Sequence, residues 1–156
     1  MSKLNFITFT NKGYVDYTKN LLVSNIKNNV NVDIKVYTLD NYSYEYFSDF
    51  HRNVELFEKD DFANKYLSQA DENFGNLMLV KFELIYQELL NNENVFYVDG
   101  DIVFKQDFED YIINYSPDSD IVFQNDLRPS KPNREWVCAG FMYIKSNDIT
   151  KEFFKP

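Results

Sequence analysis

The 156-residue chain, with 44% hydrophobic and 18% aromatic residues, is long enough to bury the core of one folded domain, which excludes a disordered protein. Its formal net charge of −9 disfavours nucleic acid as a partner, because proteins that bind nucleic acid concentrate Lys and Arg on one face. The single cysteine, Cys138, excludes an internal disulfide, and the single histidine, His51, excludes a histidine-rich zinc cluster.

The amino-terminal sequence enters a strand-like run directly. It lacks the long apolar stretch of a signal peptide or a membrane anchor, so we expect a cytoplasmic location and no membrane span. Internal repeats and low-complexity linkers are also absent from the sequence. We therefore expect residues 1–156 to form a single domain.

Strands and helices alternate from the start of the chain, which predicts an α/β domain with a largely parallel sheet. Residues 4–10 form the first predicted strand, and a turn at 11–13 leads into a helix at 14–28. Residues 33–39 form the next strand, which completes one βαβ unit. The helix has one face of residues expected to be buried, namely Val15, Thr18, Leu22 and Ile26.

The rest of the chain continues the alternation. Further helices are predicted at 42–50, 74–90 and 108–115, with a last one capped at 146–148 and running to Pro156. Extended segments are predicted at 54–57, 95–98, 102–104, 120–124 and 137–145. A proline-containing loop is predicted at 125–135. The continuous apolar run at 95–98 is typical of a central strand that is covered on both faces.

Carboxylates follow two of the predicted strands. Asp99 and Asp101 flank Gly100 directly after the run at 95–98, and Asp40 follows the strand at 33–39. Ligands of open α/β sheets sit at the carboxyl ends of the strands, and hard cations such as Mg²⁺ or Mn²⁺ bind one or two carboxylates together with substrate phosphate oxygens. Gly100 would let the backbone approach such a ligand closely. The alternative is a solvated turn, for which Asp-Gly is ordinary.

Lys81 lies on the predicted helix at 74–90, at the edge of its apolar stripe and beside Met78 and Ile85. Burying an unpaired ammonium group is costly, so a carboxylate of the site or a ligand phosphate would have to satisfy it. The alternative is a surface lysine whose stem covers the apolar stripe while its charge reaches water.

Six segments, in this order along the chain, carry a family resemblance: 7–14, 36–40, 78–82, 96–104, 120–126 and 138–144. Their order resembles that of the nucleotide-diphospho-sugar transferases with the GT-A fold, in which an apolar strand precedes a DxD motif. The resemblance implies an α/β, Rossmann-like three-layer sandwich with a mostly parallel central sheet. It also implies a hexosyltransferase-like enzyme that moves a sugar from a nucleotide-diphosphate donor, UDP-sugar being favoured, to a glycan, protein or small-molecule acceptor.

The resemblance also implies roles for particular residues. Asp99 would contact ribose or metal and Asp101 would coordinate the metal, Mn²⁺ or Mg²⁺. The residues expected to bind the donor are Thr8, Thr10, Asn11, Tyr14, Asp40, Lys81, Asp99 and Gly100. Gln124, Asp126 and the backbone around Gly140 are expected on the sugar and acceptor side, with Asp126 as the candidate base, so that the catalytic set is Asp99, Asp101, Gln124 and Asp126.

Two other functions remain open at this stage. The segment 99–103 also fits the nucleophile motif of haloacid-dehalogenase-like phosphatases, although that motif ordinarily opens its domain. A non-catalytic donor-binding subunit is the second alternative. It is motivated by the missing segment beyond Pro156, from which GT-A enzymes commonly take a further metal ligand and acceptor-binding elements. We therefore expect a carboxyl-terminally incomplete domain, or a partner domain that supplies the acceptor side.

Overall fold

Six strands and four helices alternate along the part of the chain that the structure describes. The structure is a computed structural model that describes residues 4–30, 32–59, 65–68, 70–108, 112, 118–126 and 136–156. The strands are β1 Phe6–Thr10, β2 Ile34–Thr38, β3 Val54–Leu56, β4 Asn94–Val98, β5 Ile121–Asn125 and β6 Val137–Lys145. The helices are α1 Val15–Lys27, α2 Asn41–Ser48, α3 Phe74–Asn91 and α4 Asp148–Phe154, and a 3₁₀ turn at Lys12–Tyr14 precedes α1.

The strands form one mixed sheet in the order β3-β2-β1-β4-β6-β5. The first four are parallel to one another, β6 is antiparallel to β4, and β5 is antiparallel to β6. The expected mostly parallel central sheet is therefore confirmed. The carboxyl ends of β1, β2 and β4 meet at the same edge, because parallel strands point the same way.

Helices cover both faces of the sheet and give three layers. Successive strand residues point to opposite faces, so Phe6 and Phe96 pack with α1 and α2, whereas Ile7 and Tyr97 pack with α3 and α4. All five residues of β4 are buried. This confirms the α/β three-layer fold and the central position predicted for the strand at 95–98.

The prediction that Ile26 is buried is wrong. Ile26 is 69% exposed, and Asn25 is buried in its place. The physical reason is a backbone requirement: Asn25 donates from its Nδ2 to the carbonyl oxygen of Val32 at 2.8 Å and accepts from the Val32 N–H at 3.1 Å. A buried amide that satisfies two backbone groups of the following loop replaces the apolar residue that helical periodicity alone suggested.

Some expectations fall outside the described residues. Of the predicted helix at 108–115 only residues 108 and 112 are described, and most of the predicted loop at 125–135 is not. Among the described residues, no helix has the length and apolar character needed to cross a bilayer.

A buried carboxylate ties α3 to the amino-terminal ends of the strands. Glu88 accepts hydrogen bonds from Lys35 Nζ at 3.0 Å, from Asn5 Nδ2 and Asn92 Nδ2 at 2.7 Å each, and from the hydroxyl of Tyr37. Four donors thus surround one charge, which offsets the cost of removing it from water. The network lies at the sheet edge opposite to the acidic turn that follows β4.

Burial opposes ionisation of Glu88, but the hydrogen bonds from Tyr37, Lys35 and Asn5 outweigh it and hold the pKa of this carboxyl below its ordinary value of 4.5. A carboxyl group whose pKa is lower in the folded than in the unfolded state stabilises the fold above its unfolded pKa. That stability is lost as pH falls through the folded pKa.

Glu88→Gln is therefore expected to lower the free energy of unfolding at pH 7 by about 2 kcal/mol, because the amide directs N–H groups at donors that previously met an anion. The deficit relative to wild type should begin to shrink below about pH 4.5, where the carboxyl of the unfolded chain becomes protonated, and should shrink further as pH falls through the lower pKa of the folded protein. Urea unfolding at pH 7 and at pH 3 measures both effects.

Glu83→Gln is the matched control. Glu83 lies on the same helix and pairs with Lys59 at 2.9 Å, but both side chains are about a third exposed. Its loss should cost less than about 1 kcal/mol. Equal costs for the two substitutions would show that the Glu88 network contributes no more than a surface ion pair.

Candidate functional site

The acidic turn leaves the sheet at the carboxyl end of β4. The N–H of Asp99 donates to the carbonyl oxygen of Gly140 at 2.7 Å, and the N–H of Ile102 donates to the carbonyl oxygen of Asp99 at 3.1 Å. The first bond continues the pairing of β4 with β6, and the second closes a tight turn. Asp99, Gly100 and Asp101 therefore lie in a hydrogen-bonded turn that is anchored to the sheet.

Lys81 forms an ion pair with the first carboxylate of the turn. Its Nζ lies 2.8 Å from Asp99 Oδ1, donates to the carbonyl oxygen of Ala139 at 3.3 Å, and sits 4.6 Å from the centre of the Tyr97 ring. Lys81 is 4% exposed. The alternative of a surface lysine is therefore wrong, and the carboxylate of the site satisfies the ammonium group.

Tyr97 binds the same oxygen of the Asp99 carboxylate as Lys81 does. Its hydroxyl donates to Asp99 Oδ1 at 2.7 Å. Burial raises the pKa of Tyr97 well above its ordinary value, and the charges of Asp99 and Asp101 raise it further, so the hydroxyl stays protonated and remains a donor. With Oδ1 bound by two donors, Oδ2 is the oxygen that has no hydrogen-bond partner among the described residues.

Gly140, whose backbone the resemblance places on the sugar and acceptor side, makes room for that second oxygen. A Cβ at this position would lie 2.4 Å from Asp99 Oδ2, which is closer than such atoms approach. In the sequence Gly140 is a lone glycine inside an apolar strand, and this pattern indicates close approach by another group.

Gly100 has a packing reason of its own. A Cβ there would lie 2.5 Å from the Oγ1 of Thr18, a fully buried residue of α1. The acidic turn therefore rests directly on α1. Close packing of the turn on α1 is thus a reason for glycine at this position in addition to the expected close approach of a ligand.

The loop between β1 and α1 is braced by polar side chains. Asn11 Oδ1 accepts from the N–H of Gly13 at 2.9 Å, and Asp40 Oδ2 accepts from the N–H of Lys12 at 2.7 Å. The other oxygen of Asp40 caps α2 through the N–H of Ser43 at 2.9 Å. Asn11 and Asp40 therefore set the shape of the loop on which Tyr14 stands.

Segment 65–67 packs on this loop. A Cβ at Gly13 would lie 2.1 Å from the backbone nitrogen of Tyr66, and the hydroxyl of Tyr14 donates to the carbonyl oxygen of Leu67. The rings of Tyr14 and Tyr66 lie 4.9 Å apart, and each lies 6.2 Å from the ring of Tyr17. The structure thus adds Tyr66 to the site. The sequence could not assign it, because the residue lies in a stretch without clear periodicity.

These parts enclose a cavity of about 200 Å³ beside the acidic turn. Its wall combines aromatic and apolar side chains with the acidic turn and contains Phe9, Tyr14, Tyr66, Leu67, Phe74, Leu77, Met78, Tyr97, Asp99, Gly100 and Asp101. Of the predicted site residues, Tyr14, Asp99, Gly100 and Asp101 share this wall, and Lys81 contacts it through Asp99.

The remaining predicted residues lie elsewhere. Thr8 and Thr10 are buried at the end of β1, and Gln124 lines a second cavity of about 690 Å³. Asp126 follows β5 and donates from its N–H to the carbonyl oxygen of Trp136 at 2.7 Å. The structure therefore does not bring Gln124 and Asp126 into the cavity with Asp99.

The donor atoms at the turn fit a hard cation that arrives with a ligand. Asp101 forms no hydrogen bond or salt bridge with any residue that the structure describes, so its oxygens and Asp99 Oδ2 remain for coordination. No group of three or more potential His, Cys, Asp or Glu metal ligands occurs among the described residues. Mg²⁺ and Mn²⁺ usually take one or two protein carboxylates plus phosphate oxygens and water, which matches two carboxylates better than a complete protein cage.

Comparison with known proteins identifies relatives of the fold. A family model described as nucleotide-diphospho-sugar transferase matches residues 32–156. No curated protein sequence matches the chain. Three solved structures that resemble it are the galactosyltransferase LgtC in complex with donor and acceptor sugar analogs, the bifunctional glycosyltransferase WbbM, and the glycosyltransferase GlyE of Streptococcus pneumoniae TIGR4.

The likeness to these structures extends over nearly the whole chain. LgtC gives a TM-score of 0.65 at 14% identity over 97% of this chain, WbbM 0.57 at 16% over 97%, and GlyE 0.60 at 12% over 99%. At such identities the likeness establishes the fold alone. The chain spans 60% of the length of LgtC, 33% of WbbM and 37% of GlyE.

Gly140→Ala is expected to lower the free energy of unfolding by about 1–3 kcal/mol, because the new methyl group forces the Asp99 carboxylate or strand β6 to move. Chemical denaturation measures the loss. The displaced carboxylate should also leave Lys81 without its short contact, which a crystal structure of the variant would reveal.

Gly75→Ala serves as the control. An added Cβ at Gly75, in the first turn of α3, meets no atom within 4 Å. Alanine is the better helix former, so this substitution should be neutral or stabilise by up to about 1 kcal/mol. A Gly140→Ala protein as stable as Gly75→Ala would contradict the close packing of Asp99 against β6.

Proposed function

The chain belongs to the nucleotide-diphospho-sugar transferase family, whose model matches most of its length, and from this premise we propose that it binds a nucleotide-diphospho-sugar beside the acidic turn and transfers the sugar to an acceptor. The observation that carries the proposal is the ion pair of Lys81 with Asp99 at 2.8 Å, in the wall of a cavity that Asp101 also lines. It combines a buried cation with two carboxylates at the carboxyl edge of the sheet, where α/β proteins bind nucleotides.

The diphosphate is assigned to the acidic end of the cavity. A protein of net charge −9 repels a diphosphate unless positive charge is supplied locally. Lys81 offsets one of the two carboxylates, and a Mn²⁺ or Mg²⁺ ion held by Asp99 and Asp101 would offset the rest. Such an ion would stabilise the negative charge that develops on the departing diphosphate.

The nucleoside is assigned to the aromatic mouth of the cavity. A volume of about 200 Å³ is below the about 300–1,000 Å³ of pockets that enclose a whole ligand, so part of the donor must extend outside it. Tyr14 and Tyr66 stand at this mouth, and Tyr66 is 54% exposed. Nucleobases stack favourably on such rings. UDP is the proposed nucleotide, and Asn11 and Asp40 shape the loop that carries Tyr14.

The proposed transfer exchanges one bond for another at the anomeric carbon of the sugar. The oxygen of an acceptor hydroxyl forms a bond to this carbon, and the bond from the carbon to the diphosphate oxygen breaks. The nucleoside diphosphate leaves with the electron pair, and the hydroxyl proton passes to a base. Asp126 is the candidate base for transfer with inversion, with Gln124 on the same acceptor side.

The phosphatase alternative is not favoured, because the family match and the structural relatives are glycosyltransferases. A donor-binding subunit without transfer activity is distinguished by measuring sugar transfer together with binding.

UDP with Mn²⁺ is expected to stabilise the protein by about 2.7 kcal/mol at a nucleotide concentration 100 times the dissociation constant. The stabilisation should be smaller with GDP and largely absent in EDTA. A thermal-shift series measures it. Equal stabilisation with EDTA and with Mn²⁺ would refute the proposed metal bridge.

Asp101→Asn tests the same bridge at its exposed ligand. The variant should keep the wild-type melting temperature without ligands and lose most of the Mn²⁺-dependent shift. Asp118→Asn, a substitution of an exposed carboxylate that lines neither cavity, should retain the full shift. If Asp101→Asn fails to fold, the turn has a structural role instead.

Lys81→Met is expected to raise the dissociation constant of UDP with Mn²⁺ about tenfold, equivalent to about 1.4 kcal/mol. Methionine still covers the apolar stripe, so the free energy of unfolding should change by less than about 1 kcal/mol. Lys59→Met, which breaks a partly exposed ion pair with Glu83, is the control and should leave affinity unchanged. Wild-type affinity in Lys81→Met would remove this residue from the donor site.

Tyr66→Ala is expected to weaken UDP binding by about 1–3 kcal/mol, the range measured for stacking of a base on an aromatic side chain. Binding of inorganic pyrophosphate with Mn²⁺ should be unaffected, because pyrophosphate has no base. Tyr44→Ala removes an exposed tyrosine of α2 that does not line the cavity and is the control. Isothermal titration measures the affinities of both variants for UDP and for pyrophosphate. An equal loss of affinity for the two ligands in Tyr66→Ala would exclude stacking.

A further inference from the structure

A second and larger cavity adjoins the acidic turn. Its volume is about 690 Å³, and it lies between segment 101–108 and strand β5. Well-packed interiors hold few voids larger than a water molecule, whereas cavities of about 300–1,000 Å³ are typical of ligand sites. Its volume therefore falls within the range of ligand sites.

The inner part of this cavity is aromatic. Phe96, Phe108 and Phe141 line it, with ring centres 4.8 to 5.7 Å apart. Phe108 and Phe141 are only partly buried, and Val122 of β5 is also partly buried in the wall. A continuous apolar surface that remains accessible inside a cavity favours an apolar ligand group.

The outer part is polar and includes Asp101. The exposed side chains of Gln124, Gln106 and Lys105 line the same cavity. Asp101 also lines the smaller cavity assigned above to the sugar donor. The two cavities therefore adjoin at one carboxylate, so a ligand in the larger one can present its polar end to a donor in the smaller one.

We propose that the larger cavity binds the acceptor, and that the acceptor is a glycoside with an apolar aglycone. The sugar lies on the polar side of the cavity, with Asp101 and Gln124, and the aglycone lies against the accessible surfaces of Phe108, Phe141 and Val122, which are only partly buried. The assignment as acceptor rests on the proposed donor site. The ligand class rests on the larger cavity itself.

The probe is hexyl β-D-glucopyranoside, compared with glucose and with hexan-1-ol by isothermal titration. The hexyl glycoside should bind at least about tenfold more tightly than either fragment, because only the whole molecule contacts both parts of the cavity. Val122→Phe should narrow the cavity and weaken glycoside binding at least about tenfold. It should leave UDP binding with Mn²⁺ at the wild-type level.

Val137→Phe is the matched control, because it adds the same volume at an exposed site on β6 that does not line the cavity. Val103→Glu provides a second variant should Val122→Phe not fold. Val103 lines the cavity but is 48% exposed, so a charge there can oppose an apolar ligand without entering the core.

Several results would overturn the proposal. If glucose or hexan-1-ol binds as tightly as the hexyl glycoside, the cavity does not recognise the sugar and the aglycone together, and the proposed ligand class is wrong. Glycoside binding that neither Val122→Phe nor Val103→Glu weakens would place the ligand elsewhere. If the wild-type protein binds the hexyl glycoside but does not bind UDP with Mn²⁺, the result counts against the donor site and still supports the larger cavity as a glycoside site.

Discussion

The arrangement of the site depends on one ion pair, between Lys81 and Asp99 at 2.8 Å. Lys81 comes from α3 and Asp99 from the end of β4, and the carbonyl oxygen of Ala139 on β6 completes the contact. A buried ammonium group without partners would be strongly destabilising, so Lys81 is satisfied only when these three elements pack in the observed relation. The same requirement fixes one oxygen of Asp99 and directs the other outwards.

The antiparallel strand β6 is as important to the site as the parallel strands. Because β6 runs beside β4, residues 139 and 140 lie next to the acidic turn, and Gly140 supplies both a backbone acceptor and space for the Asp99 carboxylate. Contact of the turn with α1 at Gly100 fixes its other side. The ligands for a cation are thereby preorganised on rigid elements.

Two lysine–carboxylate contacts, each with one buried partner, lie at opposite edges of the sheet. Glu88 with Lys35 joins α3 to the strands where the sheet begins, and Asp99 with Lys81 joins α3 to the strands at the other edge. In the first contact the carboxylate of Glu88 accepts hydrogen bonds from four donors. The second has an outward carboxylate oxygen and a neighbouring carboxylate, Asp101, at a cavity. Glu88 has all its hydrogen-bond partners within the protein, whereas Asp99 and Asp101 have oxygens left for a ligand. This difference separates a structural contact from a candidate functional one.

Local patterns in the sequence determined the order of elements, because alternating and continuous apolar runs and helical periodicity depend only on near neighbours. They also placed Asp99 and Asp101 at a strand end and made Lys81 conspicuous as a charge beside an apolar stripe. Only the tertiary structure decided that Lys81 pairs with Asp99, that Gly140 accommodates this carboxylate, and that Tyr66 joins Tyr14. It also separated Gln124 from the cavity of Asp99, and it buried Asn25 instead of Ile26. These outcomes depend on contacts between residues distant in the chain, which no local periodicity encodes.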